Sequence, residues 1–155
     1  MSATNYTCTL QTTASPIEAF HAINKVYGWW SQNFEGSAKE VGDEFSVRFG
    51  DVHYSKHKII ESVPGKSVVW QVTDSKLNFL KDKTEWNGTT NRFDISTVDG
   101  HTQIVFTHEG LVPQIECFKD CSNGWNYYLQ GSLKPFMDTG VGKPQLKEDG
   151  CANAN

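Results

Sequence analysis

The chain has 155 residues, enough for one domain with a substantial buried core. Hydrophobic residues make up 37% and charged residues 21%, a globular composition that excludes wholesale disorder. A net charge of -4 and a pI near 5.7 argue against nucleic acid or an anionic membrane surface as the main partner. No stretch has the apolar length needed to span a bilayer, and Met1 to Thr9 lacks the basic-then-apolar order of a secretory signal. Cys8, Cys117, Cys121 and Cys151 are too few and too irregularly spaced for a disulfide framework. The expectation is a cytoplasmic protein with reduced thiols.

Along the chain, Tyr6, Cys8 and Leu10 alternate with polar residues, a first strand with one buried face. Ser15-Pro16-Ile17-Glu18 carries a capping box with proline in the first turn, and Ile17, Phe20 and Ile23 give the following short helix an apolar edge. Gly28 interrupts that helix, and Trp29-Trp30-Ser31 reads as a second helical turn.

From Asp43 to Gly110 the period is two. Asp99-Gly100 closes a hairpin in which Ile95 faces Ile104, Phe93 faces Phe106 and Asn91 faces His108. A two-residue turn at Pro64-Gly65 pairs Ile59 with Trp70, His57 with Val72, Lys58 with Gln71 and Lys56 with Thr73. Phe45, Val47 and Phe49 continue the apolar face only if a three-residue loop or a bulge lies near Gly50. Cys117, Cys121, Trp125, Leu129, Leu133 and Phe136 then mark a helix from about Glu116 to Thr139. Pro135 falls inside it, so a kink absorbed at Gly131 is expected. The remainder, 140–155, reads as a flexible tail, leaving 1–139 as one domain.

Gly28-Trp29-Trp30, Gly42-Asp43-Glu44-Phe45, Ile59-Ile60-Glu61 with Pro64-Gly65-Lys66, and Val69-Trp70 resemble the START-like superfamily. Thr102, the run Ile104 to Gly110, and Gly124-Trp125 with Leu129 and Leu133 extend the likeness. Within the superfamily the pattern is most similar to proteins related to the C-terminal domain of a heat-shock chaperone's ATPase activator. The resemblance implies an α+β helix-grip fold. A curved antiparallel sheet of about seven strands wraps the C-terminal helix, with two short helices after the first strand and a cavity between sheet and helix. Asp74 to Glu85 departs from it as a longer, more charged connection than such a fold usually needs.

The function expected is binding of a small, largely apolar molecule, because the inner face is built from rings. Its pocket would be lined by Phe45, Val47, Phe49, Ile59, Trp70, Phe93, Phe106, Trp125 and Leu129, with Trp30 near an entrance and His57, Asn91 and His108 as polar groups. One alternative is a protein-binding module by analogy with chaperone activators. Another is a cyclase- or hydratase-type enzyme using His108 or His57 as general acid or base. Four residues of strand separate His53 from His57 by roughly 13 Å, too far to share a metal, and no metal or cofactor is expected. His57 and His108 would lie ~14 Å apart across three strand spacings, with Glu61 on the same face. Cys8, Cys117 and Cys121 could converge, although buried thiols ordinarily act as small apolar groups.

Overall fold

The computed structural model describes residues 5–78, 80–81 and 83–145. Seven strands form one antiparallel sheet: β1 (Tyr6–Thr12), β2 (Phe34–Gly36), β3 (Glu44–Phe49), β4 (His53–Val63), β5 (Ser67–Leu77), β6 (Thr90–Val98) and β7 (His101–Glu109). Their order is β1-β7-β6-β5-β4-β3-β2, so every neighbour is a sequence neighbour except β1, which closes onto β7. Helices α1 (Pro16–Asn24) and α2 (Val26–Trp29) follow β1, and the chain ends on α3 (Phe118–Tyr128), a π-helical turn (Leu129–Leu133) and α4 (Lys134–Thr139). This is the helix-grip arrangement.

The β6–β7 hairpin has the expected register throughout, closed by Asp99 and Gly100 with φ of 51° and 82°. Both values are positive, as a type I′ turn requires. The β3–β4 loop has three residues, and Phe45 pairs with His57 as the alternation demands. In the β4–β5 hairpin Ile59 pairs with Trp70 and His57 with Val72, but by a different route. Val63 pairs with Ser67 across a three-residue loop, and a bulge between Ile59 and Glu61 removes the extra step. That bulge leaves Ile60 exposed and pairs Glu61 with Val69, on the outer face where Arg92 lies. Glu61 there accepts from Ser67 and sits 3.8 Å from Arg92, so it does not join the inner-face histidines. A second shift, between Lys56 and His57, pairs Lys56 with Asp74 rather than with Thr73.

Ser15 and Glu18 form the capping box of α1. Ala19, Phe20 and Ile23 are its buried face, whereas Ile17 is 42% exposed. The break after α1 falls at Lys25, and Gly28 lies inside α2. There it allows close approach, since a Cβ would come within 2.6 Å of the Phe136 ring.

Pro135 does not end the C-terminal helix. In the turn before it, Lys134 N–H bonds to the Leu129 carbonyl five residues back, widening the turn ahead of a residue with no N–H. The irregularity expected at Gly131 is therefore a π turn. Ser132 fastens it by donating to the Trp29 carbonyl (2.6 Å) and accepting from Lys143 N–H (2.7 Å). Gly140 closes α4 with φ of 88°. The described part of the tail, 140–145, does not fray: Gln145 bridges to Ser31 and exchanges backbone bonds with Trp30 and Gln32. Residues 146–155, Cys151 among them, lie outside the described residues. Among the described residues no helix is long and apolar enough to cross a membrane.

Candidate ligand cleft

The β3–β4 loop, the β5–β6 connection and the first turns of α3 leave a cleft of about 410 Å³ between them. That size suits a small organic molecule. Its walls are rings: Trp30, Phe49, His53, Trp86, Trp125 and Tyr128. Cys121 and Gly124 form its α3 side, and Asp51, Asp120 and Gln145 also border it. A Cβ on Gly124 would meet nothing within 4 Å, so this glycine widens the cleft. Burial pushes the Tyr128 phenol up to about 12, which keeps it a neutral hydroxyl.

The β5–β6 connection explains how Trp86 arrives. Leu80 and Trp86 turn inward and are buried. The Glu85 carboxylate accepts from the N–H groups of Glu116 (2.8 Å) and Cys117 (3.0 Å), at the start of α3. Glu116 in turn accepts from Lys81 N–H. Unpaired donors at a helix start favour a carboxylate, so the acidic connection clamps the helix as it inserts its indole.

All five tryptophans form one cluster. Trp29 and Trp30 stack at 6.0 Å, Trp30 and Trp70 at 5.9 Å, Trp30 and Trp125 at 4.9 Å, and Trp125 and Trp86 at 6.0 Å, none more than 23° from parallel. The ladder fills the space between sheet and helix. Consequently Phe45, Val47, Ile59, Trp70, Phe93, Phe106 and Leu129 are at most 1% exposed and do not border the cleft. Of the residues expected to line a pocket, Trp30, Phe49 and Trp125 do so. Trp86, His53 and Tyr128 complete the walls and are not among the residues expected there; the sequence raises His53 only as a candidate metal ligand, and Trp86 lies in a segment with no periodicity to mark it.

His57, Asn91 and His108 are fully buried behind these walls. The Trp125 indole can only donate, so His108 Nδ1 accepts from it (3.1 Å). Nε2 then carries the proton and donates to Thr89 Oγ1 (2.8 Å), whose hydroxyl donates to the Trp86 carbonyl (2.6 Å). Burial, then the nearby His53, pushes His108 down to about 3. Asn91 faces His108 in the register but turns its amide to His57 Nδ1 (3.4 Å). With that amide donating, His57 Nε2–H donates to Ser55 Oγ and Ser55 donates to His53 Nε2, each at 2.8 Å. Burial, then His53 and His108, holds His57 well below its ordinary range. His53 is itself pushed down to about 3 by burial.

No hydrogen bond joins His57 to His108, and His53 and His57 meet only through Ser55. Among the described residues no group of three metal-ligating side chains comes together. Cys117 and Cys121 are close, and their mutual hydrogen bond, then burial, drives the Cys121 thiol far up. Cys8 instead receives a contact from Gln130 (3.6 Å), nine residues beyond Cys121 and roughly 13 Å along the helix. The three thiols do not converge.

The sequence matches the family model described as Activator of Hsp90 ATPase homolog 1-like protein over residues 17–138. The chain belongs to that family. Among solved structures it is similar to the Aha1 dimer from Colwellia psychrerythraea, at 26% identity over 90% of this chain and 99% of that one, with a TM-score of 0.72. A Staphylococcus saprophyticus protein is 15% identical over 92% and 98% of the two chains (TM-score 0.68). A Mesorhizobium loti protein is 14% identical over 82% and 92% (TM-score 0.66). At these lower identities the likeness is one of fold. No curated protein sequence matches the chain.

Proposed function

We propose that this protein binds a small, largely apolar molecule in the cleft between the β3–β4 loop and α3. The observation that carries this reading is an open volume of about 410 Å³ walled by six rings. The wiring of the histidines supports binding over catalysis. Both nitrogens of His108 and both of His57 already hold protein partners, and neither ring borders the cleft. A general base must reach its substrate's proton. Buried free thiols at Cys8, Cys117 and Cys121 support a reducing, cytoplasmic setting.

Gly124→Leu tests the site. The new side chain would enter the cleft where nothing opposes it, and losing a helical glycine stabilises α3 by roughly 0.5–1 kcal/mol. A fluorescent apolar probe should bind the native protein, quench its tryptophan emission and fail to bind the variant. Equal binding by both proteins would move the ligand elsewhere. Native mass spectrometry of the purified protein would show what it carries.

A second reading, a protein-binding module, is favoured by the family match and the 26% identity to the Aha1 dimer. It predicts stoichiometric capture of a chaperone ATPase, unaffected by Gly124→Leu.

A further inference from the structure

The charges around the cleft limit what it accepts. Asp51 on the β3–β4 loop and Asp120 in the first turn of α3 border it, and among the described residues no lysine or arginine does. Both are exposed, so they stand at its mouth, while His53 in its wall and His57 and His108 behind it are all in their neutral range at pH 7. Phe49 and Tyr128, 5.4 Å apart, are only partly buried and offer ring surface to an occupant. Ring faces carry negative charge density, so aromatic walls and two carboxylates act in the same direction. An anion here would leave water for a site with two like charges and no counter-charge among the described lining residues.

We infer that the cleft selects a small organic cation, an amine or quaternary ammonium carrying an apolar group, over neutral and anionic molecules of the same shape. This rests on the proposed binding function and names the ligand class. The apolar group would lie against the indoles. The cationic end would sit against the exposed surfaces of Phe49 and Tyr128, facing Asp51 and Asp120.

Three probes share a benzyl group and a bulky tetrahedral head: benzyltrimethylammonium, its neutral carbon analogue neopentylbenzene, and benzylsulfonate. Titrated against tryptophan emission at low salt, the ammonium should bind at least about tenfold more tightly than the hydrocarbon, and the sulfonate most weakly. Added salt should narrow the gap. The double variant Asp51→Asn, Asp120→Asn should bring cation and hydrocarbon within about threefold while still binding both. If the hydrocarbon binds as tightly as the cation in the native protein, the inference is wrong and the apolar-carrier reading stands. A cation preference that survives the double variant also overturns it, since the carboxylates would not be its cause. If none of the three binds, the inference and the binding function fall together.

Discussion

Protonating His108 means breaking its hydrogen bond from Trp125, because an imidazolium would set one donor against another. The nitrogen-detected NMR spectrum should therefore show His108 as the neutral Nε2–H tautomer through pH 7 and below. The same burial makes stability depend on pH in a definite direction. His57 and His108 have folded pKa values far below the unfolded value of about 6.5, so the unfolded chain binds protons first. Their stabilising contribution is complete above that value and is lost as pH falls toward the folded pKa. One pH unit below it, each has lost about 1.4 kcal/mol, or about 3 kcal/mol for the two fully buried rings. The carboxyls of Asp43 and Asp138, both held below their ordinary value, act only at lower pH. Urea midpoints should be level above about pH 7 and decline steeply between about pH 6.5 and 4.5. His108→Gln can still accept from Trp125 and donate to Thr89. It should fold and remove about one proton from the slope. An unchanged slope would mean that another group governs the acid transition.

At the scale of elements, two devices fasten the C-terminal helix. Glu85 ties the β5–β6 connection to the start of α3 by two charge-assisted bonds. Glu85→Ala should cost about 1–2 kcal/mol, raise amide exchange over 116–121 and weaken probe binding as Trp86 loosens. Glu85→Gln keeps an acceptor oxygen and should fall between the two. The other device is the π turn at Leu129–Leu133, which turns Ser132 toward the Trp29 carbonyl and Lys143 N–H. Pro135 permits that turn and Ser132 fastens it. Ser132→Ala leaves the buried Trp29 carbonyl and the Lys143 N–H without their partner and should cost about 1–3 kcal/mol. Pro135→Ala adds a donor to a turn that is already fastened and should cost less. The reverse order of urea midpoints would show that the proline imposes the turn.

At the scale of the whole molecule, the parts legible in the sequence are those that obey a period. The β6–β7 register followed from Asp99-Gly100 and alternating side chains, and the need for a third loop residue near Gly50 followed from the faces of Phe45 and His57. The β4–β5 register agreed at Ile59 and His57 although its turn did not, because an added loop residue and a bulge cancel. Glu61, lying beyond the bulge, was the residue whose face changed. The cleft was less legible. An aromatic inner face suggests a cavity there, but whether rings enclose space or fill it depends on what the connections contribute. Trp86 arrives from such a connection to wall the cleft, and Trp29 comes from a helix whose break falls at Lys25 to pack behind it. The resulting ladder draws indoles from α2, its C-terminal cap, β5, the β5–β6 connection and α3. None of these elements can leave without exposing an indole, so none should unfold alone. Tryptophan emission, near-ultraviolet circular dichroism and sheet amide exchange should report one coincident transition in urea, as a two-state domain requires. Acid should abolish all three together, because Trp125 and Trp86 are bonded to the same histidine–threonine chain. If the emission changed at lower urea than the sheet signals, α3 and the β5–β6 connection would form a separate, less stable unit. The cleft would then open independently of the sheet behind it.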